Sequence, residues 1–281
     1  MTPPPNENSA TPPLPQKTNA SHKFLTLSLI LIVCVAATFF LFQLFHQNPR
    51  GSDGAVLNEM HQEVVRLWEQ SAQTNDPQKQ AELARQALQK VQESGEKLSP
   101  EMRKQQQTIM ALMAPFQQQA GIHEQKAVAL SKIEGGWLSA FSKSPQSLAN
   151  GRAQIKELTD ANKSMLNAYN ALLEETDRRL KTNDTSSSIN LNMLAGFRAT
   201  FGNHASFIRQ IVGMNAEMYG DIDKILELLQ DNPTQWERSN NDGSLLYKDA
   251  ALQGQIQPLL TDIYRLAEQQ KAVRQQALST R

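Results

Sequence analysis

The residues best suited to metal or acid–base chemistry in this chain are four histidines in its long polar part: His46, His61, His123 and His204. Helical zinc sites set their ligands three or four residues apart, so that both side chains reach one ion. Around His61 the carboxylates stand at Glu59 and Glu63, two residues away on either side. On a helix that spacing points to different faces, so His61 reads as a solvated surface histidine. His123-Glu124 fails for the same reason. There is no GxSxG turn and no glycine-rich phosphate loop, and no serine is paired with a lysine or histidine in a recognisable way. Glu174-Glu175 sits beside Asp177, Arg178 and Arg179, which reads as a charged helix face. The residue types therefore predict no catalytic, cofactor or metal site, and a protein that is not an enzyme.

Two polar residues stand out for a different reason. His204 and Asn215 fall in a run of otherwise apolar positions: Leu194, Phe197, Phe201, His204, Ile208, Ile211, Asn215, Met218, Ile222, Ile225 and Leu229. The steps alternate between three and four residues, the mark of a coiled-coil-like seam about five heptads long. One reading makes these positions pH-sensitive or partner-selecting, since protonation would charge a buried contact. The other makes them a register-setting pair held by internal hydrogen bonds, the best-attested use of asparagine in a seam. The second carries more weight.

The elements that must position these residues follow from the same periodicity. A first helix opens near Asp53 and shows Leu57, Met60, Val64 and Leu67. A second follows Asp76-Pro77, a cap and a proline at the first helical position, and shows Leu83, Ala87, Leu88 and Val91. Ser99-Pro100 and Ser144-Pro145 repeat that start signal. The stretch 100–142 is expected to kink or split at Pro115 and to weaken at Gly135-Gly136. Helix 145–181 carries Leu148, Ile155, Leu158, Met165, Tyr169 and Leu172, and residues 182–188 form a loop. A final helix shows Leu252, Ile256, Leu259, Ile263, Leu266 and Val273, with a bend at Pro258. The expected fold class is all-α: an elongated, antiparallel, up-and-down helical bundle.

Residues 234–248 break the pattern. Asn241-Asp242-Gly243 is turn chemistry between aromatic and aliphatic residues, so a small β-hairpin is expected, with strands near 234–238 and 244–248. Trp236 and Tyr247 are its candidates for packing on the bundle, which a lone hairpin needs in water. A long helix, Gln235 and Trp236, then Asn241-Asp242-Gly243, then Leu245-Leu246-Tyr247 and a last helix resembles a family of small bacterial envelope lipoproteins of unknown function. The segment Glu93 to Leu98, with the Gln- and Lys-rich helix after it, is similar to that family's early part. The likeness covers two short stretches. It implies an envelope location and a helical fold, and it implies no chemistry.

The chain departs from that family at its N-terminus. Residues 24–45 are 22 residues without a charge, which as a helix would extend about 33 Å, enough to cross a hydrocarbon core of about 30 Å. The run outlasts a signal-peptide core, and Val33 before Cys34 does not make a lipoprotein signal. An uncleaved signal-anchor is therefore expected. Residues 1–23 form a disordered Pro-rich tail, with a PxxP spacing at Pro12 and Pro15 that reads as a solvated segment. Residues 46–53 form a linker, and 54–281 the bundle domain. Lys17 and Lys23 before the span, against Arg50 after it, place the N-terminus in the cytoplasm. The localisation expected is a single-pass inner-membrane protein with a periplasmic C-terminal domain, in line with the single cysteine, Cys34, within the span.

Charge narrows the partners. The chain carries 28 basic and 28 acidic residues, and the part beyond the anchor is near −2, with no basic patch for nucleic acid. The expected partners are the lipid bilayer and either another envelope protein or a second copy through helix faces. Alternatives are an extracytoplasmic ligand-sensing bundle acting through a partner, and an envelope enzyme or lipid-handling protein. The first lacks a second span to return a signal. The second would need a convergent polar cluster or an internal cavity.

Overall fold

A computed structural model describes residues 52–74, 76–133, 136–182, 191–239 and 244–279. The expected tail, span and most of the linker lie outside the described residues, as do 183–188 of the expected loop and the expected turn at Asn241-Asp242-Gly243. Among the described residues no helix is long and apolar enough to cross a membrane.

The described chain is all-α with one small two-stranded sheet. Its elements are α1 (Ser52–Gln73), α2 (Pro77–Lys97), α3 (Pro100–Ser131), α4 (Gly136–Phe141), α5 (Pro145–Lys181), α6 (Leu191–Asp231), β1 (Trp236–Arg238), β2 (Leu245–Tyr247) and α7 (Ala250–Ser279). Local chemistry sets several of the starts. The Asp76 side chain accepts from Gln78 N ahead of α2, and Ser144 accepts from Ser147 N ahead of α5. Each takes up an N–H that the first helical turn leaves unpaired. Asp53, near which the first helix is expected to open, does not cap it. It lies inside the first turn of α1, and its carboxylate accepts from Ser99 N at 2.8 Å, tying α1 to the α2–α3 turn.

Pro115 does not split its helix: α3 runs through it to Ser131. Pro115 is exposed, and so is Ala111, whose carbonyl would have received the missing N–H. Water can serve that carbonyl, which lowers the cost of a proline in a helix interior. The helix ends at Ser131 instead, and α4 opens at Gly136. Gly136 has φ 84°, a left-handed conformation that suits glycine. The short α4 then lies against α5, with Phe141 so close to Gly151 that a Cβ there would stand 2.6 Å from the ring. The last helix likewise includes Pro258 within its span.

Cross-helix contacts fix the directions. Residue 152 of α5 meets 223 of α6, 162 meets 215, 169 meets 201 and 177 meets 198, so the two helices run antiparallel. Lys126 meets Glu157 and Phe116 meets Tyr169, making α3 and α5 antiparallel as well. The apolar interior falls into two clusters. One joins α1, α2 and the first part of α3 to Met165–Leu173 of α5 and Met193–Val212 of α6. The other joins the end of α3, α4, Leu148–Leu158 of α5, Met218–Leu229 of α6 and α7.

The hairpin pairs Trp236 with Tyr247 and Arg238 with Leu245. Trp236 and Tyr247 pack, half-buried, on the second cluster, and Trp236 Nε1 donates to the carbonyl of Leu229 at 2.8 Å. Alternation leaves Leu246 exposed, opposite Glu237.

Candidate functional site: a buried polar layer

A band of buried polar side chains crosses the bundle where the two apolar clusters meet. In α3 the first cluster ends at Ala120 and the second begins at Ala127, with His123 and Glu124 between. In α5 the boundary lies between Met165 and Leu158, and Asn162 occupies it. In α6 it lies between Val212 and Met218, and Asn215 occupies it. In α7, Gln270 follows Ala267, the last residue of the second cluster. Each of the four longest helices thus places a buried polar residue at one level.

Three of these residues form a directed chain. Gln270 Nε2 donates to Asn215 Oδ1 at 2.6 Å, Asn215 Nδ2 donates to Asn162 Oδ1 at 3.2 Å, and Asn162 Nδ2 donates to the carbonyl of Val212 at 2.9 Å. An amide offers both a donor and an acceptor, so consecutive amides can pass one bond to the next without a charge. The fourth helix joins through an aromatic partner. His123 Nε2 lies 2.9 Å from the Tyr219 hydroxyl, one turn along α6 from Asn215. His123 is 1 % exposed and Tyr219 0 %. Burial lowers the His123 pKa to about 4 and raises that of Tyr219, because a low-polarity interior disfavours the charged form of each. At neutral pH the layer's amides, imidazole and phenol are uncharged.

Asn215 is fully buried and hydrogen-bonded within the layer. His204 lies outside it, half-buried, with Nδ1 donating to the carbonyl of Thr200 at 2.8 Å. Its neighbour Ala205 takes the buried place. The structure does not bring His204 and Asn215 together. His61 is half-buried on α1. Glu175, half-buried, accepts from both Arg178 and Arg179, which hold its carboxyl down to about 2. Among the described residues no group of three His, Cys, Asp or Glu is arranged to hold a metal ion.

His123 is the residue that sequence reasoning misplaced. Ile109, Met113, Phe116, Ala120, His123, Ala127 and Leu130 step by four and three without a slip, and all are buried. Ala120 and Ala127, which flank His123, are small and weakly apolar, so the seam is fainter in the sequence than that of α6. Asn162 sits in an equal seam with Leu158, Met165 and Tyr169, and Gln270 follows Ile263 and Leu266. Seam position, more than neighbouring residue type, marks the layer.

The layer offers positioning chemistry. It sets the register of four helices, since sliding one by a turn would strand several buried donors and acceptors. No protein-family model, curated protein or solved structure matches the chain.

Proposed function

We propose that this chain is a membrane-anchored helical interaction or scaffold protein of the bacterial cell envelope, without catalysis. In this reading residues 24–45 span the inner membrane once, residues 1–23 remain in the cytoplasm, and an elongated bundle stands in the periplasm. The observation that carries it is the run of 22 uncharged residues ahead of a long helical domain. The polar layer supports it: the contacts its side chains make register helices. The surface adds a constraint on the partner. The large apolar side chains exposed among the described residues are Ile122 and Leu246, so the partner would meet mainly polar helix faces. The faint likeness to envelope lipoproteins of unknown function agrees in location and fold.

Topology is the decisive test. A reporter fused after Arg281 is expected to be active outside the cytoplasm, and protease added to spheroplasts should leave only a small anchored fragment. Activity confined to the cytoplasm would overturn the localisation. Crosslinking in membranes followed by affinity purification is expected to recover one specific envelope protein or a second copy. A uniform background would remove the interaction role.

A further inference from the structure

We propose that the polar layer is an acid-sensitive clasp, in which protonation of His123 parts α3 from α6 at this level while the two apolar clusters stay folded. The proposal stands on the layer alone and is independent of membrane topology.

The geometry is specific. His123 is the imidazole of a layer otherwise built on neutral amides and a phenol, with the Glu124 carboxyl next to it on α3. One ring nitrogen faces Tyr219, and Nδ1 has no hydrogen-bond partner among the described residues. A protonated ring has two N–H donors and a charge. The Tyr219 hydroxyl can turn to accept one. The other N–H and the charge would remain buried without a partner, which is costly.

Most charged groups that the four helices carry near the layer lie at the surface or are half-buried. On α3, Lys126 is paired with Glu157 of α5 at 2.6 Å on the surface. Asp160 and Lys163 of α5 are exposed, as are Glu217 of α6 and Glu268 of α7, while Asp221 of α6 and Lys271 of α7 are half-buried. Glu124 is itself buried. The lowered proton affinity of His123 has burial as its cause, with no charged neighbour contributing.

The weak point is where the clasp lies. On either side the apolar clusters are continuous, with Phe116, Tyr169 and Phe201 in contact above and Ile155, Leu158 and Ile222 gathered below. Between them α3 offers Ala120 and Ala127, small side chains that bury little apolar area. When the layer opens, the imidazole regains its ordinary proton affinity near 6.5. The open form is then favoured tenfold for each pH unit below that value, down to about pH 4, where the closed form also takes the proton.

Hydrogen–deuterium exchange on the full chain in detergent micelles, corrected for intrinsic exchange rates, reads this directly. Protection of amides at 120–127 and 215–219 is expected to fall about 30-fold between pH 7 and pH 5, following the tenfold-per-unit rule below 6.5. Amides around Leu57 and Ile225, inside the clusters, should hold theirs. In His123→Gln, which keeps a polar partner for Tyr219, the pH dependence should vanish. Tyr219→Phe should lower protection at every pH and keep the dependence. The proposal is overturned if protection at the layer is flat from pH 7 to pH 5, if both clusters lose protection in parallel with it, or if His123→Gln retains the dependence. Should His123→Gln fail to fold, the imidazole titration of His123 in the unmodified protein decides by NMR. A midpoint near 6.5 in the folded state would overturn the clasp.

Discussion

Gln270 of α7 donates to Asn215 of α6 across 2.6 Å, and the same Asn215 donates onward to Asn162 of α5. One side chain thereby sets the level of three helices. Asn215→Ala would leave Asn162 Oδ1 and Gln270 Nε2 buried without their partner. Each orphaned group costs about 1–3 kcal/mol, so a loss of roughly 2–4 kcal/mol is expected in urea denaturation. A change within error would mean that the layer does not set register.

The α6 seam makes a sharper contrast between neighbours two residues apart. Ile211 is fully buried, and Arg209 is exposed with one long contact to Asn170. Ile211→Asp places an uncompensated charge in an apolar cluster, at a cost of several kcal/mol. It should unfold or severely destabilise the domain, whereas Arg209→Asp should be nearly silent. Equal melting temperatures for the two variants would refute the seam.

Gly151 permits α4 to lie flat on α5. A Cβ there would stand 2.6 Å from Phe141 Cγ and 2.7 Å from Cδ2. The ring must move, and overpacking of this kind costs about 1–3 kcal/mol. Gly151→Ala should lower the melting temperature and shift the fluorescence of Trp137, buried on the same short helix. Unchanged emission would show that α4 accommodates the methyl.

Acid should weaken the whole domain through His123. Its folded affinity, near 4, lies below the ordinary 6.5. The unfolded chain therefore binds more protons between those values, and stability falls as pH drops from about 6.5 to about 4. The loss from this group approaches about 3 kcal/mol. His123→Gln should flatten that limb in denaturation midpoints taken from pH 7.5 to pH 4.

The ion pairs of the half-buried Glu175 give a contrasting case. Arg178 and Arg179 lower its carboxyl to about 2, so its contribution is present above the ordinary carboxylate range and fades as pH falls toward 2. Solvent screening keeps such surface pairs to about 1 kcal/mol or less. Glu175→Gln should change neutral-pH stability by no more than that, and less still in 1 M salt. A larger loss would point to a structural role for Glu175 beyond its ion pairs.

The helical class, the hairpin and most buried faces were legible in the chain itself, because each is a local matter. Periodicity assigns the faces of α1, α5 and α6. Asp76-Pro77 and Ser144-Pro145 mark starts, and the alternation of aromatic and aliphatic residues marks β1 and β2. The uncharged run at 24–45 is equally local and rests on sequence alone. Assembly decided what periodicity could not. Pro115 stays inside α3 because its side of the helix faces water, and His204 yields the buried place to Ala205. His123, Asn162, Asn215 and Gln270 lie 147 residues apart from first to last. Each pattern shows a polar residue in its own seam. That they share one level depends on the offsets between helices, which loop lengths and side-chain packing determine together.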